Sequence, residues 1–278
     1  MNNQKNDVLF TQAVPLILTG VIFLILAIIL RFYIHTLNIF TDVDLSLNIR
    51  LGDVLVGMTI YLKTSVDFAI FIGNLMHAYP GWKNRIAIEI GTAVGNALGT
   101  IIVLTIWNFF RNVEILLALM IFIASLVLLR LAEDGFEHAL SGNTFNDYFR
   151  RFVQFNEVIL QRINKIYAPL FNKLIPSMNV QSKAAKASFL SLFVFAFTVP
   201  FILGLDDFAG YVPLFKIINV FGFAVGVFLG HMILNIFLFI SPNITINVVR
   251  NAFISLIGAY VFIGLAIWGI SEALHILL

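Results

Sequence analysis

"SVDFAIFIGNL", residues 65–75, is an apolar run with one acid, Asp67, near its start. The run lies inside a longer apolar stretch, 53–78, that is built for lipid. The rest of the chain agrees. Of 278 residues, 60% are hydrophobic and 12% are charged, whereas soluble globular proteins are about half apolar and about a quarter charged. The composition defines an integral membrane protein. There is no Cys, which excludes disulfides, thiolate metal sites and thiol nucleophiles. The opening "MNNQKNDVLFTQ" is polar, and the apolar run after it is long enough to span. No cleavable signal peptide is expected.

A span needs about 20 mostly apolar residues. Candidates lie at 13–35, 53–78, 86–110, 113–131, 187–207, 213–240 and 248–274, which makes seven helices. The expected fold class is all-α and polytopic. Residues 1–52 would hold the first helix and an extracytoplasmic loop, 53–131 one three-helix unit and 187–278 another. Segment 132–186 differs: it is basic and mixed in polarity, with Phe152, Phe155, Val158, Ile159, Ile163 and Ile166 at helical spacing. It reads as an amphipathic linker at the membrane surface or as a soluble loop.

Lys and Arg set orientation. One side would carry Lys5, Lys83, Arg85, Arg130, Arg150, Arg151, Arg162, Lys165, Lys173, Lys183, Lys186 and Arg250; the other would carry Arg31, Arg50 and Arg111. Twelve against three makes the first side cytoplasmic, with the N-terminus inside and the C-terminus outside.

Two spans carry glycines four apart. Gly91, Gly95 and Gly99 lie in "EIGTAVGNALGT", and Gly222, Gly226 and Gly230 in "VFGFAVGVFLGH". Such a spacing gives a small-residue face that lets another backbone approach. Upstream of the first triplet stands "VDFA" and upstream of the second "DDFA". The two three-span units therefore read as repeats. Three is odd, so a linker that stays on one side inverts one unit relative to the other, as in many secondary transporters.

Asp67 lies near mid-depth in its span, where a charge must be paired, hydrated or neutralised. A carboxylate that is protonated alone and ionised when a cation arrives would exchange protons for metal. A structural pair with Lys63, four residues earlier, is the alternative. Asp206 and Asp207 follow "TVPFILGL", where Pro200 and Gly204 weaken the helix. A broken helix exposes carbonyls that can join carboxylates as oxygen ligands. The pair could equally be a solvated loop, and the repeat favours Asp207 as the counterpart of Asp67. Asn74 and Asn96 are further oxygen donors, and Thr92, Thr100, His231 and Asn235 are pathway candidates. Each could instead serve only a helix–helix hydrogen bond. His77 and Glu89 read as lying near the cytoplasmic interface, in a vestibule or solvated. Glu272, His275 and Trp268 read as interfacial. No HExxH, GxSxG or P-loop motif is present, so enzyme activity is not expected.

Two Asp motifs, glycine-rich following spans and two inverted units joined by a basic linker resemble the LysE transporter superfamily. Within it the pattern is most similar to the TerC-type branch of metal exporters. "SVDFAIFIGNLM" and "LGLDDFAG" match that branch's Ser-x-Asp and x-Leu-Asp motifs in position and type. The resemblance covers about 53–275 without the linker. It implies export of a divalent cation, foremost Mn²⁺, with protons as a possible counter-ion. It carries Asp67 and one of Asp206 or Asp207 over as metal ligands. One departure is Phe68, where the family often has Asn; Asn74 or Asn96 could replace that oxygen. A hard oxygen site suits Mn²⁺, Ca²⁺ or Mg²⁺. No tightly bound cofactor and no nucleic acid partner is expected, and the setting is a bacterial-type inner membrane. The rival readings are an exporter of another small, amino-acid-like solute on the same fold, and a non-transporting scaffold that docks partners through 132–186.

Overall fold

The structure is a computed structural model. It describes all residues except 1, 42–44, 80, 142–144, 175–187, 210–211 and 250; the side chains of 2–12, 67, 169–174, 202–209 and 249 also lie outside the described set. Among the described residues, ten α-helices follow one another: α1 (Asn2–Phe40), α2 (Leu51–Thr64), α3 (Val66–Ala78), α4 (Trp82–Phe110), α5 (Glu114–Leu140), α6 (Asp147–Leu174), α7 (Phe189–Ala209), α8 (Val220–Ile240), α9 (Pro242–Val249) and α10 (Ala252–Leu277). A 3₁₀ turn, Val212–Lys216, precedes α8. Among the described residues there is no strand.

Among the described residues, five stretches are long and apolar enough to cross a membrane: Ala13–Phe40, Trp82–Phe110, Glu114–Leu140, Val220–Ile240 and Ala252–Leu277. The pair α2–α3, bent by 63°, makes a sixth if it crosses as one broken span. The sequence predicts one straight span over 53–78; the structure breaks it at Ser65. At the break the Thr64 hydroxyl returns to the Ile60 and Tyr61 carbonyls, a contact that favours bending. The backbone stays bonded across the break, with Ser65 N–H on the Tyr61 carbonyl and Ala69 N–H on the Ser65 carbonyl, both at 2.9 Å. Asp67 thus falls in the first turn of α3, directly after the break.

The chain divides into two compact units. The first comprises Met1–Val103, Ala187–Leu205 and Leu214–Val248, the second Leu104–Lys186, Asp206–Pro213 and Val249–Leu278. In the first, α8 packs on α2 and α1. Glycines permit the closest approaches. A Cβ on Gly226 would fall 2.2 Å from the Val54 carbonyl oxygen, and one on Gly57 would fall 2.2 Å from that of Phe223. The first triplet behaves alike: a Cβ on Gly91 or Gly95 would fall 2.6 or 2.4 Å from the Phe193 or Phe197 carbonyl oxygen of α7. No side chain fits such gaps, so both faces must be Gly.

In the second unit α5 packs along α10, with Gly135 against Ala259 and the Phe136 ring edge-on to Tyr260 at 5.2 Å. The fourth span, expected to stop at 131, continues as helix to Leu140. The linker that follows is helical from Asp147 to Leu174. It lies on α5 through buried Val153, Leu160 and Asn164, and Tyr167 donates to the Leu126 carbonyl at 3.0 Å. Phe152, Phe155, Val158, Ile159, Ile163 and Ile166, the apolar residues picked out by spacing, are all exposed. A second exposed apolar surface runs along α1 through Ile17, Leu24, Ile28 and Phe32. Such surfaces suit lipid rather than water.

Candidate functional site

The first unit buries a connected set of polar side chains. Four positions on α4, Glu89, Thr92, Asn96 and Thr100, recur at i, i+3, i+7 and i+11 and share one face. All four are buried, Glu89 to 1% exposure. Facing them on α8 are His231 and Asn235, one turn apart and buried to 3% and 1% exposure. Small neighbours make this possible. The glycine faces bring α8 onto α2 and α4 onto α7, so the polar stripes meet inside rather than at a wide, wet gap.

The Asn235 amide is the hub. Its Nδ2 lies 2.8 Å from Glu89 Oε2, 3.1 Å from His231 Nε2 and 3.5 Å from Thr92 Oγ1. Its Oδ1 has no hydrogen-bond partner among the described residues. The other ring nitrogen, His231 Nδ1, lies 2.8 Å from the Tyr61 hydroxyl of α2. Tyr61 meets the imidazole edge-on at 5.9 Å, and Phe68 of α3 covers it at 5.5 Å. Glu89 also bonds the Thr19 hydroxyl of α1, which in addition reaches the Pro15 carbonyl at 2.9 Å. The Thr92 hydroxyl donates to the Glu89 carbonyl at 3.0 Å. Five helices, α1, α2, α3, α4 and α8, therefore supply one chain of contacts around a buried carboxyl. Among the described residues, the hydrogen-bond partners of that carboxyl are neutral: an amide and a hydroxyl. Such an arrangement can hold or release a proton, or accept a small cation, and is expensive to keep in a membrane for structure alone.

Of the residues singled out by sequence, Thr92, His231 and Asn235 come together here. Thr100 and Asn96 are buried on the same α4 face; the Thr100 hydroxyl returns to the Asn96 carbonyl at 2.9 Å, and Asn96 Nδ2 has no partner among the described residues. Asn74 is exposed, because α3 turns Ile72, Gly73, Leu75 and Met76 inward instead. It does not join the cluster. Asp67, Asp206 and Asp207 lie on α3 and α7, and their side chains are outside the described residues. Among the described residues, no group of three or more His, Cys, Asp or Glu is placed to hold a metal ion.

Glu89 corrects the sequence reading, which sets it with His77 near the cytoplasmic interface, in a vestibule or solvated. It is fully buried and is the only carboxyl in the described cluster. His77 is exposed and pairs through Nε2 with Asn243 Oδ1 at 2.9 Å. The i, i+3, i+7, i+11 polar stripe on α4 is the signal that could have found Glu89. Tyr61 carried no signal beyond its place one turn before Ser65. Near Glu89 on the same helix, Arg85 donates Nη1 to the Phe239 carbonyl at 3.2 Å.

The helices define the class: a multi-pass helical membrane protein. No protein-family model matches the chain, and neither does a curated protein or a solved structure.

Proposed function

We propose that this chain is a secondary transporter that moves a small cation across a membrane. A divalent metal ion, foremost Mn²⁺, is the cargo, and protons are the counter-ion. The observation that carries the reading is Glu89. It is a buried carboxyl, wired to Asn235, His231, Tyr61 and Thr19, within helices that are otherwise built for lipid. Intramembrane ionisable groups mark ion and proton pathways. The reading includes no enzymatic activity.

Packing supports the inverted-repeat plan. The matched "DFA" motifs set Asp67 against Asp207, an offset of 207 − 67 = 140. Under it Asp53 and Gly57 of α2 correspond to Phe193 and Phe197 of α7. Gly222 and Gly226 of α8 meet α2 at Asp53 and Val54, and Gly91 and Gly95 of α4 meet α7 at Phe193 and Phe197. Each half lays its glycine face on the first span of the other half, as a two-fold relation requires. The break at Ser65 adds the discontinuous helix common at transporter sites. The cargo site is assigned, through the LysE and TerC resemblance, to Asp67 with Asp207 or Asp206, with Asn96 as a further oxygen donor. The membrane is of the bacterial inner type, with the N-terminus cytoplasmic.

The test is flux into proteoliposomes holding the full chain. Mn²⁺ uptake that is lost in both Asp67→Asn and Asp207→Asn is the expected result. Uptake surviving in both removes the site assignment. Absence of any divalent flux, with flux of an amino-acid-like solute, would favour the solute exporter.

A further inference from the structure

We infer that Glu89, Asn235, His231 and Tyr61 form a one-proton switch, separate from the cargo site, in which the Asn235 amide turns over as Glu89 gains or loses a proton. The geometry fixes how such a switch must work. Asn235 Nδ2 stands between Glu89 Oε2 at 2.8 Å and His231 Nε2 at 3.1 Å. An amide nitrogen only donates, so both neighbours must accept. Glu89 Oε2 then carries no proton, as in the ionised carboxylate. His231 is neutral with its proton on Nδ1, donated to the Tyr61 oxygen 2.8 Å away.

A proton placed on Glu89 Oε2 would set donor against donor across 2.8 Å. Turning the amide by half a revolution removes the conflict and offers Oδ1 to both neighbours. The turn is cheap on the far side. Oδ1 has no partner among the described residues, so the turn breaks no bond on that side and exchanges an unpartnered carbonyl oxygen for an unpartnered amide nitrogen. With Oδ1 facing it, His231 must present Nε2–H, and Nδ1 then accepts from the Tyr61 hydroxyl. The proton count balances. An O–H bond forms at Glu89 and an N–H bond at His231 Nε2, the N–H bond at Nδ1 breaks, and Tyr61 keeps one proton throughout. One proton enters, and the imidazole is neutral in both states.

The surroundings leave this as the means of charge control. Thr19 reaches Glu89 from α1, and the Phe68 ring covers His231 from α3. Thr92 adds a hydroxyl from α4, and α7 brings Phe193 and Phe197 against the α4 glycines. The charged groups on these elements nearest in sequence to Tyr61 and Glu89 are Lys63, two residues past Tyr61, and Arg85, one turn before Glu89 and bonded to the Phe239 carbonyl; Arg31 of α1, the buried Asp53 of α2 and Lys83 of α4 stand further along their helices, and Asp206 and Asp207 are on α7 with side chains outside the described residues. Asp67 is on α3, with its side chain outside the described residues. Two of the helices that carry the switch, α2 and α8, meet at close approaches through Gly57 and Gly226. A change of hydrogen-bond sense at Tyr61 and His231 therefore acts directly on the α2–α8 contact. The inference does not depend on what the cargo is.

The experiment uses the full chain in lipid nanodiscs, with no cargo added. Infrared difference spectra between mildly acidic and mildly alkaline buffer report a protonated carboxyl, and ¹⁵N-histidine NMR reports the tautomer of His231, assigned by loss of its signal in His231→Gln. Acidification is expected to raise a carboxyl band that is missing in Glu89→Gln. His231 is expected to pass from Nδ1–H to Nε2–H at the same pH, while Glu89→Gln, which has no carboxyl to titrate, holds it in one tautomer at every pH. Asn235→Leu is expected to separate the two events. A His231 tautomer that ignores pH, or that becomes doubly protonated when the band rises, overturns the switch. So does a carboxyl band that persists in Glu89→Gln. If Glu89→Gln does not fold, the wild-type tautomer and Asn235→Leu still decide.

Discussion

The amide nitrogen of Asn235 lies 2.8 Å from a carboxylate oxygen of Glu89, 146 residues away in sequence, and neither side chain reaches solvent. This bond ties α4 to α8, and hence the first half of the chain to the second. Removing its donor leaves buried acceptors on both Glu89 and His231. An unsatisfied buried polar group costs about 1–3 kcal/mol. Asn235→Leu should therefore lower the unfolding midpoint in detergent, read by intrinsic fluorescence. Asn235→Asp should behave differently. Its carboxyl faces that of Glu89, so the two are compatible only while they share a proton. That variant should be near wild type in acid and lose stability as pH rises. A flat profile with pH would show that the two acids do not meet.

The glycine faces make a steric prediction. A Cβ at Gly226 would sit 2.2 Å from the Val54 carbonyl oxygen, which is main chain and cannot swing away. Gly226→Ala should push α8 off α2 and cost about 1–3 kcal/mol or more, as overpacking does. Gly264 of α10 has nothing within 4 Å of its added Cβ. Gly264→Ala should be neutral or slightly stabilising, since Ala is the better helix former. Size-exclusion profiles and melting curves of the two variants separate a helix-propensity effect from a packing effect.

At the α5–α6 contact the Glu157 carboxyl is held above the usual carboxylate range, first by desolvation and then by the acids Glu137 and Glu133. The sign follows. A carboxyl whose folded value is raised gives stability below its unfolded value and loses it as pH rises through the folded one. Docking of α6 should thus loosen slightly from mildly acidic to neutral pH. Glu157→Gln should remove that trend while matching wild type in acid. Amide hydrogen exchange across Asp147–Leu174 measures it. The side chain is only half-buried, so the effect is small.

Much of the architecture was legible because lipid imposes coarse rules. Runs of apolar residues long enough to span are visible without any neighbour, and so is the periodicity that predicted helix in 132–186. The glycine triplets foretold close approaches but not their partners. That α8 meets α2, and α4 meets α7, depends on contacts between residues far apart in sequence. Glu89 was misread because it lies eight residues into α4, where an acid next to Arg85 looks like a helix end near water. Its burial depends on α1 and α8 covering it, which no local pattern in α4 encodes. The break at Ser65 was hidden in a similar way. The apolar pattern continues through it, and only the Thr64 hydroxyl, bonding back to Ile60 and Tyr61, marks the bend.

The number of crossings is open to a direct measurement, because α7 decides its parity. At about 1.5 Å per residue, the 21 residues of Phe189–Ala209 reach about 31 Å, enough for a hydrocarbon core of about 30 Å. With α7 and the bent pair α2–α3 each crossing once, α1, α4, α5, α8 and α10 bring the total to seven, and the termini lie on opposite sides. The native chain has no Cys, so any introduced thiol is unique. Asn3→Cys and Lys165→Cys should react with a membrane-impermeant maleimide only after vesicles are opened. Arg111→Cys and Leu278→Cys should react from outside. Labelling of positions 3 and 278 from the same side would overturn the seven-crossing count, and with it the proposed inverted relation between the two halves.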